Sequence, residues 1–359
     1  QITTMEVPSF NHKRHVKYFA NCLQQLPAAY DRLDTNRLTL VHFAVQALDV
    51  LGVLPDGDPH ECLSEDAMAK QVVNKSAIVN WIYSLQLETG GFVGGTFLGS
   101  SKDDDDDLYS HSHIAMTYTA LCTLAALGDD LSRVDREKVI ASLQPLQRDD
   151  GSFQCIAVGS EYDMRFLYCA CVISHLLNDW SAVDQEKAVD FIQSCVAYDG
   201  GISLIPGQEG HGGSTFCAVA ALQLMDRLDD NVLDTRKVIH WCVHRQVQGM
   251  QGRPNKAEDT CYSYWIGATL CLLGKGALLD HVPLRDFILK CQTQLGGFSK
   301  ILGAYPDILH AFYSMAWLTL SSEYDDEEEG DSLNLKKLNC TVGICQDRMA
   351  VFQCKREVP

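Results

Sequence analysis

The stretch Gln86-Leu87-Glu88-Thr89-Gly90-Gly91-Phe92 decides the fold, because variants of it recur along the chain. A Gly-Gly-Phe-like ending returns four more times, and a glutamine leads into it at Gln147, Gln248 and Gln292. The aromatic or apolar position of those later copies is Phe153, Ile202, Met250 and Phe298. Counted from Phe92, the intervals are 61, 49, 48 and 48 residues. A period of about 50 residues is the signature of a repeat architecture.

Each repeat contains two helical patterns. An amphipathic segment precedes the glycines and opens with an aspartate, as at Asp135, Asp184 and Asp234, which is a helix N-cap signal. We expect the glycine pair to end this helix, because glycine tolerates positive φ. A second segment, apolar on nearly every face, indicates a buried helix. These buried segments are 113–127, 164–177, 215–228, 261–273 and 310–320, and a first hairpin is predicted from 11–25 and 37–51.

The alternation of surface and buried helices predicts an all-α fold, an α6–α6 (α/α) barrel of repeated helical hairpins. An open helical solenoid is the alternative. We favour closure because the inner helices are too apolar to line an open concave surface. The prediction is one domain over 1–359, with repeats at about 11–320, an acidic loop insertion at 98–110 and a C-terminal extension at 321–359.

The chain is acidic. Its 359 residues hold 29 Lys and Arg against 47 Asp and Glu, a formal net charge of −18. Two acidic runs, Asp103 to Asp107 and Asp325 to Asp331, are typical of solvated loops. A magnesium–diphosphate role for the first run is the less favoured alternative, because the run has no helical framing. The charge argues against nucleic-acid binding, which needs a basic surface, and an acidic exterior could attract basic protein substrates.

Fifteen cysteines are present, with no Cys-x-x-Cys pair, and most lie in apolar helical segments. They are expected to be buried free thiols, which indicates a reducing, cytoplasmic location. The longest apolar runs, such as 117–127, are too short to span a bilayer, so no integral membrane association is expected.

Polar residues open each predicted inner helix at the repeat period. They are His113, Arg165, His211, the pair Asp259 and Cys261, and His310, and the intervals counted through Cys261 are 52, 46, 50 and 49 residues. Each alone is explained as a cap or a satisfied polar residue. Residues in the same phase of a ring of parallel helices lie at the same end, so we expect the five to converge on one rim.

Asp259, Cys261 and His310 offer a carboxylate, a thiolate and an imidazole. Three such ligands with one open position is the arrangement of catalytic zinc sites. The Asp-x-Cys spacing alone is a weak signal, and a buried cysteine beside a capping aspartate is the alternative.

A basic cluster accompanies this set. Its members are His211, Arg253, Lys256 and Tyr262. Two cations, an imidazole and a phenol beside a metal suit a diphosphate, whereas the alternative is a solvated basic loop. Aromatic groups such as Phe216, Tyr264 and Trp265 would line the cavity below. The pattern therefore describes a pocket for an isoprenoid diphosphate.

Three blocks resemble the β subunits of protein prenyltransferases. They are Gly-Arg-Pro-Asn-Lys-Ala-Glu-Asp-Thr-Cys-Tyr-Ser-Tyr-Trp at 252–265, Gly-His-Gly-Gly-Ser-Thr-Phe-Cys at 210–217 and Asp-Met-Arg-Phe at 163–166. The Gly-Gly-Phe repeats match as well, and the similarity spans about 10–320. The resemblance implies an α6–α6 barrel in an obligate heterodimer with a helical-repeat α subunit.

The resemblance also implies site residues. One zinc ion per β subunit would be held by Asp259, Cys261 and His310, which with Tyr262 form the catalytic set, and would bind the cysteine thiolate of a C-terminal CaaX box. The implied diphosphate-binding residues are His211, Arg253, Lys256, Tyr262 and Lys300. The implied lipid-pocket residues are Thr39, Arg165, Phe216 and Trp265. The implied CaaX-binding residues are His113, Ala115, Glu161, Arg165, Phe166 and Tyr313.

Three features resemble the geranylgeranyl-transferring type I members more than the farnesyl enzyme. Pro254 and Thr260 stand where the farnesyl enzyme usually has Thr and Gly. Thr39 stands where it has a pocket-shortening Trp, which leaves room for a fourth isoprene unit. Lys300 stands where it has a magnesium-binding Asp, so magnesium is not expected to be required. Tyr313 departs from the pattern by replacing a Phe near the last CaaX position, for which Leu is the expected residue.

The implied substrates are geranylgeranyl diphosphate and CaaX proteins such as Rho/Rac-type small GTPases. The nearest alternative is the farnesyltransferase β subunit, and a Rab-type transferase resembles the zinc segment less well. A non-catalytic α/α-barrel protein-binding module would bind no zinc. A terpene cyclase would need an acidic protonating motif near the cavity, which the sequence does not offer outside Asp103 to Asp107.

Overall fold

The computed structural model describes four stretches of the chain, namely 6–54, 73–96, 111–324 and 333–349. The predicted acidic loop at 98–110 and the run from Asp325 to Asp331 lie outside these described residues. The prediction of a single domain over 1–359 therefore stays a prediction.

Twelve of the α-helices in the described residues alternate between an outer and an inner position, and a further helical stretch begins at 346. The outer helices are α1 (His12–Gln24), α3 (Lys75–Ser84), α5 (Arg136–Leu143), α7 (Gln185–Ser194), α9 (Thr235–Val243) and α11 (His281–Lys290). The inner helices are α2 (Arg37–Val50), α4 (Ile114–Ala126), α6 (Met164–Leu177), α8 (Gly212–Leu224), α10 (Thr260–Leu272) and α12 (Ile308–Ser321). Short 3-10 helices lie at Ala28–Asn36, Gln144–Leu146 and Gly276–Leu278, and two antiparallel strands are β1 (Leu338–Asn339) and β2 (Ile344–Cys345).

The inner helices form a closed ring. Each packs against the next along the chain, and α12 packs back against α2. This confirms the predicted α/α barrel and excludes the open solenoid. Helix α8 begins earlier than its predicted start at 215, because the His211 side chain accepts a hydrogen bond from Gly213 N at 3.1 Å and caps the helix there. No helix among the described residues is both long and apolar enough to cross a bilayer.

The glutamine of the repeat motif joins neighbouring repeats. Gln147 Nε2 donates to the carbonyl of Asp184, the N-cap of α7, at 2.9 Å, and Gln147 Oε1 accepts from Asp184 N at 2.7 Å. At the seam of the ring, Gln292 Oε1 accepts from Asn11 N, the N-cap of α1, at 2.8 Å. Gln292 Nε2 donates to the carbonyl of Ser9 at 3.0 Å. The last repeat therefore contacts the first in a similar way, through a glutamine that accepts from the backbone N–H of the next N-cap residue.

The expectation that the glycine pair ends the outer helix is wrong. Helix α3 ends at Ser84, whereas Gly90, with φ of 102°, lies in the turn that follows. That turn packs closely against the next outer helix, α5, since a Cβ on Gly90 would lie 2.1 Å from the carbonyl oxygen of Lys138. Gly296 lies in the same way over Arg14 of α1, where a Cβ would be 2.1 Å from the carbonyl oxygen. These glycines permit close approach between repeats.

Residues 333–349 pack under the ring, at the end opposite the N-termini of the inner helices. Lys336 N donates to the carbonyl of Val50, the last residue of α2, at 2.8 Å. The fully buried carboxylate of Asp49 lies 3.1 Å from Lys336 Nζ and 3.2 Å from Arg348 Nη2. The part of the predicted C-terminal extension that is described is thus tied to the barrel by a buried ion-pair network.

Candidate active site

The N-caps of five inner helices share one rim. Each side chain accepts a hydrogen bond from a backbone N–H of its own first turn, and the caps recur at intervals of 48 to 50 residues. They are His113, Asp163, His211, Asp259 and Asp307. The positive ends of five helix dipoles therefore face the same opening, which favours an anionic ligand there.

Asp259, Cys261 and His310 meet at this rim, with their ligand atoms all within 4.8 Å of one another. Asp259 Oδ1 accepts from Cys261 N at 3.0 Å, which fixes the two on the first turn of α10. Helix α12 supplies His310, whose Nε2 lies 3.2 Å from Asp259 Oδ1. A buried carboxylate, a buried thiol and a partly buried imidazole form a donor set that fits zinc.

Asp307 orients His310. It was not among the site residues predicted from the sequence. Its Oδ2 accepts a hydrogen bond from His310 Nδ1 at 2.6 Å, which leaves Nε2 facing Asp259. A carboxylate on the second ring nitrogen is the usual support of a metal-ligating histidine. The available signal was an aspartate in repeat phase with Asp259, at the start of the helix that carries His310.

Without a metal, the imidazole of His310 and the thiol of Cys261 hold protons at neutral pH. Burial lowers the pKa of His310, but hydrogen bonds to Asp259 and Asp307 outweigh it and raise that pKa to about 9. Burial, and then the charge of Asp259, raise the pKa of the Cys261 thiol well above its usual value. Burial opposes ionisation of Asp259, yet its hydrogen bonds with His310 and Cys261 leave its pKa lowered. A cation must therefore displace protons from the imidazole and the thiol.

The basic loop lies beside the cluster. A Cβ on Gly252 would lie 2.2 Å from Cζ of Tyr262, so only glycine lets the loop approach this ring. Arg253 is half exposed and its Nη1 lies 3.0 Å from Glu209 Oε1. Lys256 is exposed, and its carbonyl accepts from Gln251 Nε2 at 2.7 Å. The loop thus presents two cations near the rim on a constrained backbone.

His211 and Tyr262 form a polar pair next to this loop. Burial, and then the charge of Arg253, lower the pKa of His211, so the ring is neutral. Its Nδ1 accepts from Gly213 N, so Nε2 carries the proton and donates to Tyr262 Oη at 2.8 Å. The phenolic O–H of Tyr262 is left to donate to a ligand. Lys300 Nζ, more than half exposed, lies 3.4 Å from Asp259 Oδ2.

Below the rim, a circle of aromatic side chains surrounds the lumen of the barrel. Five inner helices contribute one aromatic residue each, at intervals of 48 to 50 residues. These residues are Tyr118, Tyr168, Phe216, Tyr264 and Phe312, and they line one cavity with His42, Trp265, Tyr313 and Gly343. Sequence reasoning named Phe216, Tyr264 and Trp265 but overlooked the periodicity that identifies the others.

The two remaining residues predicted for the lipid pocket, Thr39 and Arg165, lie closer to the rim than the aromatic cavity does. Thr39 sits in the first turn of α2, with Oγ1 3.6 Å from Met116 Sδ, and is not among the residues that line the aromatic cavity. Arg165 lies at the rim, where Nη2 contacts Asp163 Oδ2 at 2.6 Å and Glu161 Oε2 at 3.2 Å.

The predicted CaaX-binding residues fall into two places. His113 and Phe166 meet edge to face at the rim, with ring centroids 6.0 Å apart, on the same side as Glu161 and Arg165. Ala115 is partly buried in the first turn of α4. Tyr313 lies in the aromatic cavity, 4.2 Å from Trp265 between ring centroids.

A family model described as the prenyltransferase alpha-alpha toroid domain matches residues 10–344. The chain therefore belongs to this prenyltransferase family. Its relatives are named transferase subunits, which confirms the prediction of an enzyme.

Within that family the chain is similar to β subunits of type-1 geranylgeranyl transferase. It is 39% identical over 340 residues to geranylgeranyl transferase type-1 subunit beta of Arabidopsis thaliana, covering 88% of this chain and 86% of that protein. The corresponding subunit of Dictyostelium discoideum is 35% identical over 349 residues, covering 91% and 95%. Protein farnesyltransferase subunit beta of Schizosaccharomyces pombe is 31% identical over 338 residues, covering 89% and 80%.

A solved structure titled Candida albicans protein geranylgeranyltransferase-I complexed with GGPP shares the fold. The TM-score is 0.83 at 23% identity, and the match covers 98% of this chain and 100% of that chain. The predicted membership among protein prenyltransferase β subunits, with type I as the most similar group, is confirmed.

Proposed function

We propose that this chain is the catalytic β subunit of a heterodimeric, zinc-dependent protein geranylgeranyltransferase of type I. It transfers geranylgeranyl from geranylgeranyl diphosphate to the cysteine thiol of a C-terminal CaaX motif. The observation that carries the proposal is the cluster of Asp259, Cys261 and His310 beside basic side chains at the mouth of an aromatic cavity. The identities of 39% and 35% to type-1 subunits, against 31% to a farnesyltransferase subunit, support the type.

Three residues hold the metal and a fourth positions one of them. Asp259, Cys261 and His310 would hold one zinc ion, and Asp307 orients the His310 ring by accepting from its Nδ1. When bound, zinc would supply the Lewis acidity that lowers the pKa of the substrate thiol and keeps it a thiolate at neutral pH.

The other rim residues bind and stabilise the leaving group. A bond forms between the CaaX sulfur and C1 of the lipid while the C1–O bond breaks, and the diphosphate leaves with the electron pair. Arg253, Lys256 and Lys300 supply positive charge, and Tyr262 donates its O–H, with the His211 N–H fixing that phenol. Charge that develops on the leaving oxygen is thereby stabilised by groups already in place.

Lys300 makes magnesium dispensable in this proposal. Its ammonium lies 3.4 Å from Asp259 Oδ2, at the edge of the metal cluster. A fixed cation there can balance diphosphate charge that a divalent ion would otherwise balance.

The lipid lies in the aromatic cavity, against Phe216 and Trp265, with Thr39 and Arg165 nearer the rim. His113, Glu161 and Arg165 fix the CaaX segment through water, and Ala115, Phe166 and Tyr313 line its path. The proposed partners are a prenyltransferase α subunit and CaaX proteins such as Rho/Rac-type small GTPases, in the cytoplasm. The thirteen described cysteines are all free, which suits a reducing compartment.

A two-lipid competition tests the proposal. The heterodimer is given equal amounts of geranylgeranyl and farnesyl diphosphate with a CaaX peptide ending in Leu, and its zinc content is measured. We expect mainly geranylgeranylated peptide and one zinc per heterodimer. Preferential farnesyl transfer would contradict type I and favour the farnesyltransferase alternative. No transfer and no zinc would favour the non-catalytic binding module.

A further inference from the structure

Outer helix α9 carries a histidine pair, His240 and His244, on its exposed face. The two residues are one helical turn apart, and their ring centroids lie 4.0 Å apart with 31° between the ring planes. Among the histidines that the structure describes, these two are the exposed ones. We propose that the histidine pair binds a divalent transition-metal ion, at a site separate from the cluster of Asp259, Cys261 and His310. Binding there goes beyond prenyl transfer and does not require it.

The spacing lets two imidazoles reach one ion. Residues four apart lie on the same face of a helix, and histidines at this spacing bind zinc together in helical metal motifs. The contact between the two rings shows that His240 and His244 already leave the helix in the same direction. An ion therefore has to reorient two neighbouring rings only slightly, which keeps the entropy cost of binding low.

A backbone hydrogen bond prepares His244 for a metal. Its Nδ1 lies 2.8 Å from the carbonyl oxygen of His240, and a carbonyl only accepts, so Nδ1 carries the proton. In the neutral ring the lone pair is then on Nε2, which is the form of imidazole that binds metals. A hydrogen bond from the second ring nitrogen to a backbone carbonyl is also a usual support of a metal-ligating histidine.

The end of the helix at which the pair lies favours a cation. Helix α9 ends at Val243 and His244 is its C-cap, so both histidines lie at the negative end of the helix dipole. Arg236, exposed one turn before His240, carries a like charge that opposes a bound cation. This arginine lies on the same face but offers no ligand, which makes it a suitable control position.

The ligand type defines the class of ion. Imidazole nitrogen suits zinc, nickel and copper, whereas calcium and magnesium prefer oxygen ligands. Two protein ligands hold an ion less tightly than the three that the Asp259 cluster offers. Dialysis against metal-free buffer should therefore empty the histidine pair before it empties that cluster.

Nickel titration is the direct test. The heterodimer, prepared with zinc and without a histidine tag, is titrated with Ni²⁺ by isothermal titration calorimetry, because nickel binds imidazole and does not oxidise thiols. The variants are His240→Gln and His244→Gln, with Arg236→Gln as the matched control on the same face. Folding should survive, because the buried side of α9, with Val238 and Trp241, is unchanged.

We expect each histidine variant to raise the Kd for nickel by about tenfold or more, since even the loss of a group that only supports a ligand has an effect of this size. Arg236→Gln should bind nickel at least as tightly as the wild type. Unchanged affinity in folded His240→Gln and His244→Gln would overturn the proposal. Equal weakening in Arg236→Gln would also overturn it, because the loss would then come from the helix and not from the two rings. No turnover is measured, so a failure here leaves the proposed function standing.

Chemical modification locates the site in the wild type, and decides if the histidine variants do not fold. Diethyl pyrocarbonate modifies unprotonated imidazole nitrogens, and the modified residues are mapped by mass spectrometry with and without Ni²⁺. We expect nickel to slow the modification of His240 and His244 and to leave that of the partly exposed His111 unchanged. Equal rates at His240 and His244 with and without nickel would overturn the proposal.

Discussion

Cys261 is the residue at which the zinc proposal is tested most directly. We expect Cys261→Ala to bind no stoichiometric zinc and to reduce transfer to background, because two remaining ligands do not make a zinc site. The barrel should still fold, since the substitution removes one sulfur from a first-turn position. The measurements are metal content, turnover and far-UV circular dichroism.

Cys271→Ala is the matched control for that prediction. Cys271 lies on the same helix, is partly buried and stands outside the metal cluster. It should keep both zinc and turnover. Full zinc content in Cys261→Ala would remove this residue from the ligand set.

Asp307 should act through His310. Asp307→Asn keeps a side-chain oxygen that can cap α12, but it loses the carboxylate that accepts from His310 Nδ1. Loss of such a supporting carboxylate typically lowers metal affinity about 10- to 100-fold, and we expect a reduction of that size. Competition with a chelator measures it. Asp234→Asn, at the N-cap of outer helix α9, is the control that should leave zinc affinity unchanged.

Lys300 should determine the need for magnesium. In zinc-restored buffer without magnesium we expect the wild type to keep full turnover. The turnover of Lys300→Ala without magnesium should be about tenfold lower than that of the wild type. This loss is smaller than the one caused by removing a buried oxyanion donor, because Lys300 is more than half exposed. Added magnesium should then restore part of the rate. Lys275→Ala removes an exposed lysine elsewhere and should show neither effect.

The rim residues show how far sequence reasoning reaches at this scale. His113, His211 and Asp259 were found because N-caps on a ring of parallel helices keep the repeat period. Asp307 also follows the repeat period. In the sequence, however, an aspartate that only caps a helix looks the same as one that also supports a metal ligand. Its second role follows from the side-chain position of His310, which only the folded helix fixes.

Among the elements, the helices were predictable and the C-terminal hairpin was not. Four of the six outer helices named above start at an aspartate, as α5 does at Asp135, and the inner ones are largely apolar, so both leave local signals. The turn glycines were recognised, but their reason was not, because Gly90 is required by a carbonyl of the following repeat. The hairpin at 338–345 lies outside the repeat period and pairs only two residues per strand, so no sequence pattern predicted it.

Helix α2 anchors the hairpin at 338–345 through Asp49, which pairs with residues on both sides of it. We expect Asp49→Asn to lower the free energy of unfolding by about 1 to 3 kcal/mol, because it leaves Lys336 and Arg348 without the charge they share. Urea unfolding measures the loss. Asp34→Asn, which breaks a half-exposed ion pair with Arg37, is the control and should cost less than about 1 kcal/mol. Equal losses in the two variants would contradict an anchoring role for Asp49.

The whole ring depends on one seam, where the first helix meets the last repeat. His15 of α1 is fully buried there and stacks on Phe298 with ring centroids 4.6 Å apart. Its Nδ1 accepts from Gly297 N at 3.0 Å, so in the neutral ring Nε2 carries the proton and donates to Gln292 Oε1 at 2.8 Å. A protonated ring would set an N–H against the N–H of Gly297. The seam is therefore built for the neutral histidine.

Acid should weaken this seam. Burial, only partly offset by the hydrogen bond to Gln292, lowers the pKa of His15 to about 4, and the nearby His12 adds to the shift. The unfolded chain binds this proton near pH 6.5, so the stabilisation is complete above that pH and is lost as the pH falls towards 4. We expect the loss attributable to His15 to be about 3 kcal/mol of unfolding free energy at pH 4.

His15→Gln isolates that loss from the titration of every other group. Glutamine can accept from Gly297 N and donate to Gln292 but does not titrate, so its unfolding free energy should fall less than that of the wild type between pH 7 and 4. The difference should approach the full contribution of His15. His244→Gln, at an exposed histidine, should follow the wild type at each pH. If His15→Gln lost stability as steeply as the wild type, the acid sensitivity of the ring would have to come from elsewhere than its seam.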